Sequence, residues 1–309
     1  YAKVRFDDRS IATLKAHLGK IDNSLTRALC WSAAWDMLRD AEINATDFID
    51  IALAGLTGED DIATVTIIAN QLVTAVEFYS FPSKRDSARL KVGNAFEVML
   101  ANAKAGSDHQ LQFARNFTSF ASSAEHNDLI KELLDGKLAG LKVDADLRWT
   151  FVIALSERGL MDKESLAAEL LKDNTLTGQL SHATALAAMP TAEAKAETWN
   201  SITTEEITTS LREAKLAGFM RALHRPLLAA YVDPYFDLLL ETWGKKAYEV
   251  ASKFVTGMYP AYITNQATLD KTINWLENAG KDGQAGLRRL VSEGRDSLER
   301  ALKVQAKDK

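Results

Sequence analysis

Apolar residues along this chain recur at spacings of three and four, and almost nowhere at two. Ala28, Trp31, Trp35 and Leu38 share one helical face, and Leu147, Phe151, Ala154 and Leu155 share another. Leu287, Leu290, Val291, Leu298 and Leu302 form a third. A period near 3.6 commits such segments to helices and leaves no alternating set from which a sheet could be built. The interruptions are short: Thr57 to Asp60, Phe81 to Ser83, Asp135 with Gly136 and Gly140, Pro190 with Thr191, and Asp233 with Pro234. Spacing of this kind predicts roughly fifteen to seventeen helices of ordinary length joined by short loops. Ala is the commonest residue and there are 5 Pro, so propensity agrees with period. Ser122 with Glu125 and Thr203 with Glu206 have capping-box spacing.

Short loops make successive helices antiparallel neighbours. A long series of such pairs predicts an all-α fold, a curved α-solenoid of the HEAT or armadillo kind, although no fixed sequence period stands out. One exception opens the chain. Tyr1, Val4 and Phe6 alternate with Lys3, Arg5 and Asp7, which predicts a single short strand. A lone strand is not stable, so it needs a partner from elsewhere. The expected division is therefore residues 1–8, a strand, and residues 9–309, a helical domain. Residues 303–309 are polar and read as a fraying tail.

Composition excludes several classes. At 309 residues and 47% hydrophobic, the chain has enough apolar surface to fold. One Cys excludes a disulfide scaffold and fits a cytoplasmic protein. A net charge of −5 argues against a nucleic-acid partner. The apolar runs look too short for a membrane span of roughly 18 residues. The start has neither an initiator Met nor an apolar signal core, and reads as cut from a longer protein.

A search for chemistry finds little. His17, His109, His126, His182 and His224 are never followed by Glu, so H-E-x-x-H is absent, as is any E-x-x-H pair. These imidazoles read as surface or structural groups. Cys30 lies between Leu29 and Trp31 and reads as a small buried hydrophobe. Glu59, Asp60 and Asp61 suggest an aspartate-rich diphosphate motif, but Thr64 stands where its last Asp belongs. They read instead as caps on a helix N-terminus. No phosphate-binding glycine loop or nucleophile elbow occurs. The six Trp fall in helix patterns and read as core anchors.

Several segments do resemble a family. Residues 24–40, Ser-Leu-Thr-Arg-Ala-Leu-Cys-Trp-Ser-Ala-Ala-Trp-Asp-Met-Leu-Arg-Asp, resemble the opening helix of the C-terminal helical domain of the aminopeptidase N (alanyl aminopeptidase) family, in its actinobacterial form. Leu53 to Glu59, Leu138 to Trp149, Pro190 to Trp199, Tyr231 to Phe236, and Leu287 to Glu293 running on to Arg300 resemble later parts of that domain, in the right order. Tyr1 to Asp7 resembles the last strand of the small β-sandwich domain that precedes it. The signature residues Arg27, Trp31, Trp35, Asp36, Glu59, Arg148, Trp149, Tyr235 and Phe236 are expected to be structural. Asp36 and Asp146 are the expected partners of Arg27 and Arg148.

Members of this family are zinc exopeptidases that remove N-terminal residues from peptides. Their metal ligands and substrate-amine motif belong to a catalytic domain with no counterpart here, so no catalytic or metal residue carries over to this sequence. The resemblance implies a cap that closes a catalytic chamber and limits peptide entry, inactive in isolation. Zinc would lie in the missing domain, and the partners would be the catalytic and β-sandwich domains of the same polypeptide. Basic side chains on the inner face would meet the far end of a peptide, with Arg221 and Arg225 as candidates. The alternative is a stand-alone helical-repeat scaffold for peptides or proteins. The orphan strand argues against that alternative.

Overall fold

Side-chain caps start most of the helices. In the computed structural model, which describes residues 3–309, Asp7, Asn23, Asn44, Asp61, Ser107 and Ser123 accept from backbone N–H groups at the starts of six helices. Asp144, Asp162, Thr175, Thr191, Thr208 and Asn265 do the same for six more. Each such cap contributes about 1 kcal/mol by satisfying a donor that the helix cannot. Among the described residues there are seventeen α-helices and no strand. The all-α expectation therefore holds.

Two units divide the chain: Tyr1–Val143 with Arg300–Lys309, and Asp144–Glu299. The first contains α1 Asp8–His17, α2 Ser24–Arg39, α3 Ala45–Leu56, α4 Ile62–Thr74, α5 Arg85–Asn102, α6 Asp108–Phe120 and α7 Ala124–Leu134. The second contains α8 Ala145–Glu157, α9 Lys163–Lys172, α10 Leu176–Ala187, α11 Ala192–Thr204, α12 Thr209–Phe219 and α13 Arg225–Leu228. It also holds α14 Val232–Lys245, α15 Tyr248–Gly257, α16 Gln266–Glu277 and the start of α17, Ala285–Lys307, whose last residues belong to the first unit.

The first unit's core is built on Trp31, Phe48, Phe96, Phe117 and Phe120, with Phe96 and Phe120 stacked at 5.5 Å. Trp31 lies against Gly55, where a Cβ would fall 2.4 Å from the indole, so α2 and α3 meet at a position only glycine allows. The second unit's core is built on Phe151, Phe219, Tyr235, Phe254 and Trp275. There α10 and α12 meet at Gly218, whose missing Cβ would lie 2.2 Å from the Thr184 carbonyl oxygen.

Four expectations change. The strand over residues 1–8 falls partly outside the described residues. Residues 3–7 carry no helix or strand, and Asp8 already opens α1. The proposed caps shift as well: α7 is capped by Ser123 rather than Ser122, and Thr203 lies inside α11 while Thr208 caps α12. The polar end does not fray. It continues α17 to Lys307, and Asp308 is buried because it pairs with backbone donors, a use that composition does not reveal. Finally, Ile62–Tyr79 is an 18-residue stretch of mean hydropathy 1.3, long and apolar enough by those measures to cross a membrane. Here its Val65, Ile68, Leu72 and Val76 are buried in the first unit's core.

Candidate anion-binding site

The helix that begins as α4 loses its regular pitch at Ala75–Tyr79, which forms a single π-turn. Both the Ser80 amide, at 2.7 Å, and its Oγ, at 3.0 Å, donate to the Ala75 carbonyl and close the turn. Phe81 and Pro82 then stop the helix, since Pro cannot donate and disfavours helix before it. The wider turn re-aims its side chains. Glu77 faces the core, where it takes two bonds from Arg89, Nε to Oε1 and Nη2 to Oε2, each at 2.9 Å. Tyr79 is 6% exposed and packs beside Trp35, ring centroids 6.0 Å apart.

Two guanidiniums approach the Tyr79 phenol: Arg39, the last residue of α2, and Arg300, from the far part of α17. Burial pushes the phenol pKa up, and the two cations pull against that rise. The group is thus a hydroxyl donor at neutral pH. Among the described residues neither Arg39 nor Arg300 has an ion-pair partner within 4 Å. Asp40, next in sequence to Arg39, is already taken by Lys3 at 2.9 Å and by Arg5. Two forked cations and one hydroxyl therefore converge without a carboxylate. That donor set matches a carboxylate or phosphate oxygen pair.

The residues singled out in the sequence have other work. Arg27 is saturated. Its Nε and Nη2 hold Glu59 at 2.9 and 3.0 Å, Nη2 also reaches Asp60 at 3.2 Å, and Nη1 donates to the carbonyls of Ile21 and Asp22 at 2.8 and 3.1 Å. Its partner is thus Glu59 rather than the expected Asp36. Glu59 in turn accepts from the amides of Asp60 and Asp61, and Asp61 caps α4, as the acidic run suggested. Arg148 holds Glu169 at 2.6 and 2.8 Å, a residue of α9 that spacing within α8 does not suggest. Arg148 and Lys172 hold the Glu169 carboxyl below the usual range.

Trp31 donates to the Ile51 carbonyl at 3.4 Å, and Trp149 to Asp173 at 3.0 Å. Tyr235 is fully buried, donates to the Val255 carbonyl at 2.8 Å and meets Phe236 edge-on at 5.1 Å. Cys30 is half-buried, and burial raises its pKa, so nothing activates the thiol.

Arg225 opens the one-turn helix α13, whereas Arg221 is an extended residue just before a 3-10 turn. Arg225 donates to the carbonyls of Tyr262 at 3.1 Å and Ala222 at 2.6 Å, and stacks over the Tyr262 ring at 5.3 Å. Arg221 lies 3.9 Å from Glu157, too far for a hydrogen bond. Its neighbour Lys195 is fully buried and donates to the carbonyls of Ala187, Gly218 and Phe219 at 2.7, 3.2 and 3.1 Å. Burial and Arg221 push that ammonium down to about 7, against three acceptors at helix C-termini that favour its charge. His224 donates to the Glu157 carbonyl at 2.8 Å, and burial pushes it down to about 4, so it is neutral. Among the described residues no three His, Cys, Asp or Glu side chains group as metal ligands do.

Sequence reading missed Arg39, Tyr79 and Arg300. Arg39 and Arg300 do fall inside segments that carry the family resemblance. Nothing in one sequence shows that residues so far apart meet on one phenol.

The fold and site define a class: an all-helical domain whose described residues include many side-chain-capped helices and two arginines with no ion-pair partner within 4 Å. The match to a family model for the ERAP1-like C-terminal domain runs over residues 1–300, and the chain belongs to that family. It is also 43% identical over 311 residues to aminopeptidase N of Streptomyces lividans. That match takes in all of this chain but 36% of the relative's length, in its C-terminal part.

Proposed function

We propose that this chain is the C-terminal cap of a larger zinc-dependent aminopeptidase, and that Arg39, Tyr79 and Arg300 receive the far carboxylate of a bound peptide. Family membership and 43% identity to an aminopeptidase N support the first part. The convergence of two arginines without ion-pair partners on one buried phenol carries the second. In this reading the helices stack as a curved solenoid. The zinc belongs to a catalytic domain outside this sequence, where it would polarise the scissile carbonyl and activate water. The cap excludes bulk water and limits which peptides enter. Its single cysteine fits a reducing, cytoplasmic setting.

The cap reading expects the purified chain to leave an aminoacyl-anilide uncut, with or without added zinc. Robust cleavage that a chelator abolishes would overturn it. The carboxylate reading expects a short peptide with a free C-terminus to bind the chain more tightly than the same peptide amidated. Equal binding of the two would count against it.

A further inference from the structure

The cradle around Tyr79 is tied down from outside its own helix. The Phe78 carbonyl, one residue before Tyr79, accepts from Gln305 Nε2 at 2.7 Å. The Phe81 amide, two residues after it, donates to Asp308 Oδ2 at 2.9 Å. The other carboxylate oxygen of Asp308 accepts from the Thr46 amide and hydroxyl at 3.1 and 2.9 Å. Lys84 donates to the Asp308 carbonyl, and the Lys309 ammonium lies 5.8 Å from the Phe81 ring centroid. Gln305 is 4% exposed and Asp308 1%, so these bonds are made away from competing water.

Gln305 and Asp308 follow Arg300 along α17 and the residue beyond it. They lie within about 12 Å of rise from Arg300. The segment that delivers Arg300 to the phenol is thus the same one that grips the backbone on both sides of Tyr79. A π-turn leaves carbonyls and amides outside the regular ladder, and here Gln305 and Asp308 take two of the groups that flank the phenol.

We infer that Gln305 and Asp308 are positioning residues for the anion cradle, fixing Tyr79 and Arg300 in register so that both can reach one carboxylate. This rests on the reading of Arg39, Tyr79 and Arg300 as a carboxylate site. Neither residue touches the ligand. Each acts through the backbone of the π-turn or the end of α17. Loss of either lets the phenol and the guanidinium drift apart, and a two-pronged contact is lost when its prongs no longer match the acceptor.

The test uses the 309-residue chain and one short peptide in two forms, with a free C-terminal carboxylate and with an amide. Calorimetry gives the ratio of the two affinities. Gln305→Met removes the donor at similar volume, and Asp308→Asn replaces one acceptor oxygen. Arg300→Ala removes one prong. Thr46→Val removes an Asp308 bond on the side away from Tyr79 and serves as the structural control. The expected result is a carboxylate preference in the wild type that falls about tenfold in Gln305→Met, Asp308→Asn and Arg300→Ala alike. Thr46→Val is expected to lower the melting temperature and leave the preference intact. If Arg300→Ala loses the preference but Gln305→Met and Asp308→Asn keep it, the positioning role is wrong and the cradle stands. If the wild type shows no preference, the cradle reading fails and takes this inference with it. Should Asp308→Asn not fold, Gln305→Met decides alone.

Discussion

Arg27 and Arg39 stand near opposite ends of one helix, α2, and behave in opposite ways. Arg27 is buried, and its donors are spent on two carboxylates and two carbonyls. Arg39 is exposed and shares a single phenol with a second arginine. The first arrangement is complete without a ligand. The second places like charges together with no ion pair within 4 Å of either among the described residues, which folding alone does not favour. A guanidinium with every donor taken marks architecture. A pair of them with donors to spare marks a place where something negative arrives.

The largest break in that comparison is at Arg27. Replacing it by Met leaves Glu59, whose side chain is 0% exposed, buried without its cation. Removing one partner of a buried pair costs about 3–5 kcal/mol, because the other charge stays desolvated. Arg27→Met should therefore lower the melting temperature steeply or prevent folding. The double change Arg27→Met with Glu59→Gln should recover part of the loss, since no bare charge remains. A single variant as stable as wild type, measured by thermal melting, would remove the contrast between the two arginines.

The Arg148 pair tests the same idea in the second unit with a smaller effect. Glu169 is held below the ordinary carboxylate value of 4.5, by Arg148 first and then by Lys172. A lowered carboxylate pKa gives stability that is fully present above the unfolded value and is lost as pH falls through the folded one. The contribution should thus be intact at neutral pH, decline below about pH 4.5, and vanish once Glu169 is protonated in both states. Arg148 is 30% exposed at its side chain, so solvent screens the pair, and about 1 kcal/mol is the expected cost of Arg148→Met at pH 7. Acid titration of the variant should lack the corresponding part of the decline. Parallel acid profiles for wild type and variant would show that the pair does not control it.

The helices were legible from periodicity and breaks because those are local signals, and so was the cap at Asp61, while the caps read at Ser122 and Thr203 fall instead at Ser123 and Thr208. The family signatures Trp31, Trp149, Tyr235 and Phe236 were legible as core for the same reason: each sits on an apolar face. The partners Glu59 and Glu169 were not legible. Arg27 finds Glu59 across a loop and a helix, and Arg148 finds Glu169 on the next helix, because packing chooses the partner rather than spacing along one helix. The site failed for a stronger form of that reason. Arg39, Tyr79 and Arg300 come from three helical segments, and the π-turn that aims Tyr79 has no sequence mark beyond the Pro82 that ends it. The polar run at the end read as a tail because Asp308 looks the same in sequence whether it faces water or caps two backbone segments.

The smallest expected effect on stability is the one that separates the two arginines most sharply. In Arg39→Met and Arg300→Met, no carboxylate loses its cation, because among the described residues neither arginine has one. The buried Tyr79 phenol loses a neighbouring charge and keeps its proton at neutral pH, so its burial carries no new penalty. Like-charge repulsion across the phenol is relieved. Each variant should therefore fall within about 0.5 kcal/mol of wild type by thermal or denaturant melting. The double variant should be equal or slightly more stable, and the difference should shrink as salt rises, because salt screens like charges that solvent reaches. The same variants should lose the preference for a free peptide carboxylate. Stability held while binding is lost is what a ligand site predicts and a structural pair does not. A loss of several kcal/mol in either single variant would instead mean that Arg39 or Arg300 holds the fold together, as Arg27 does.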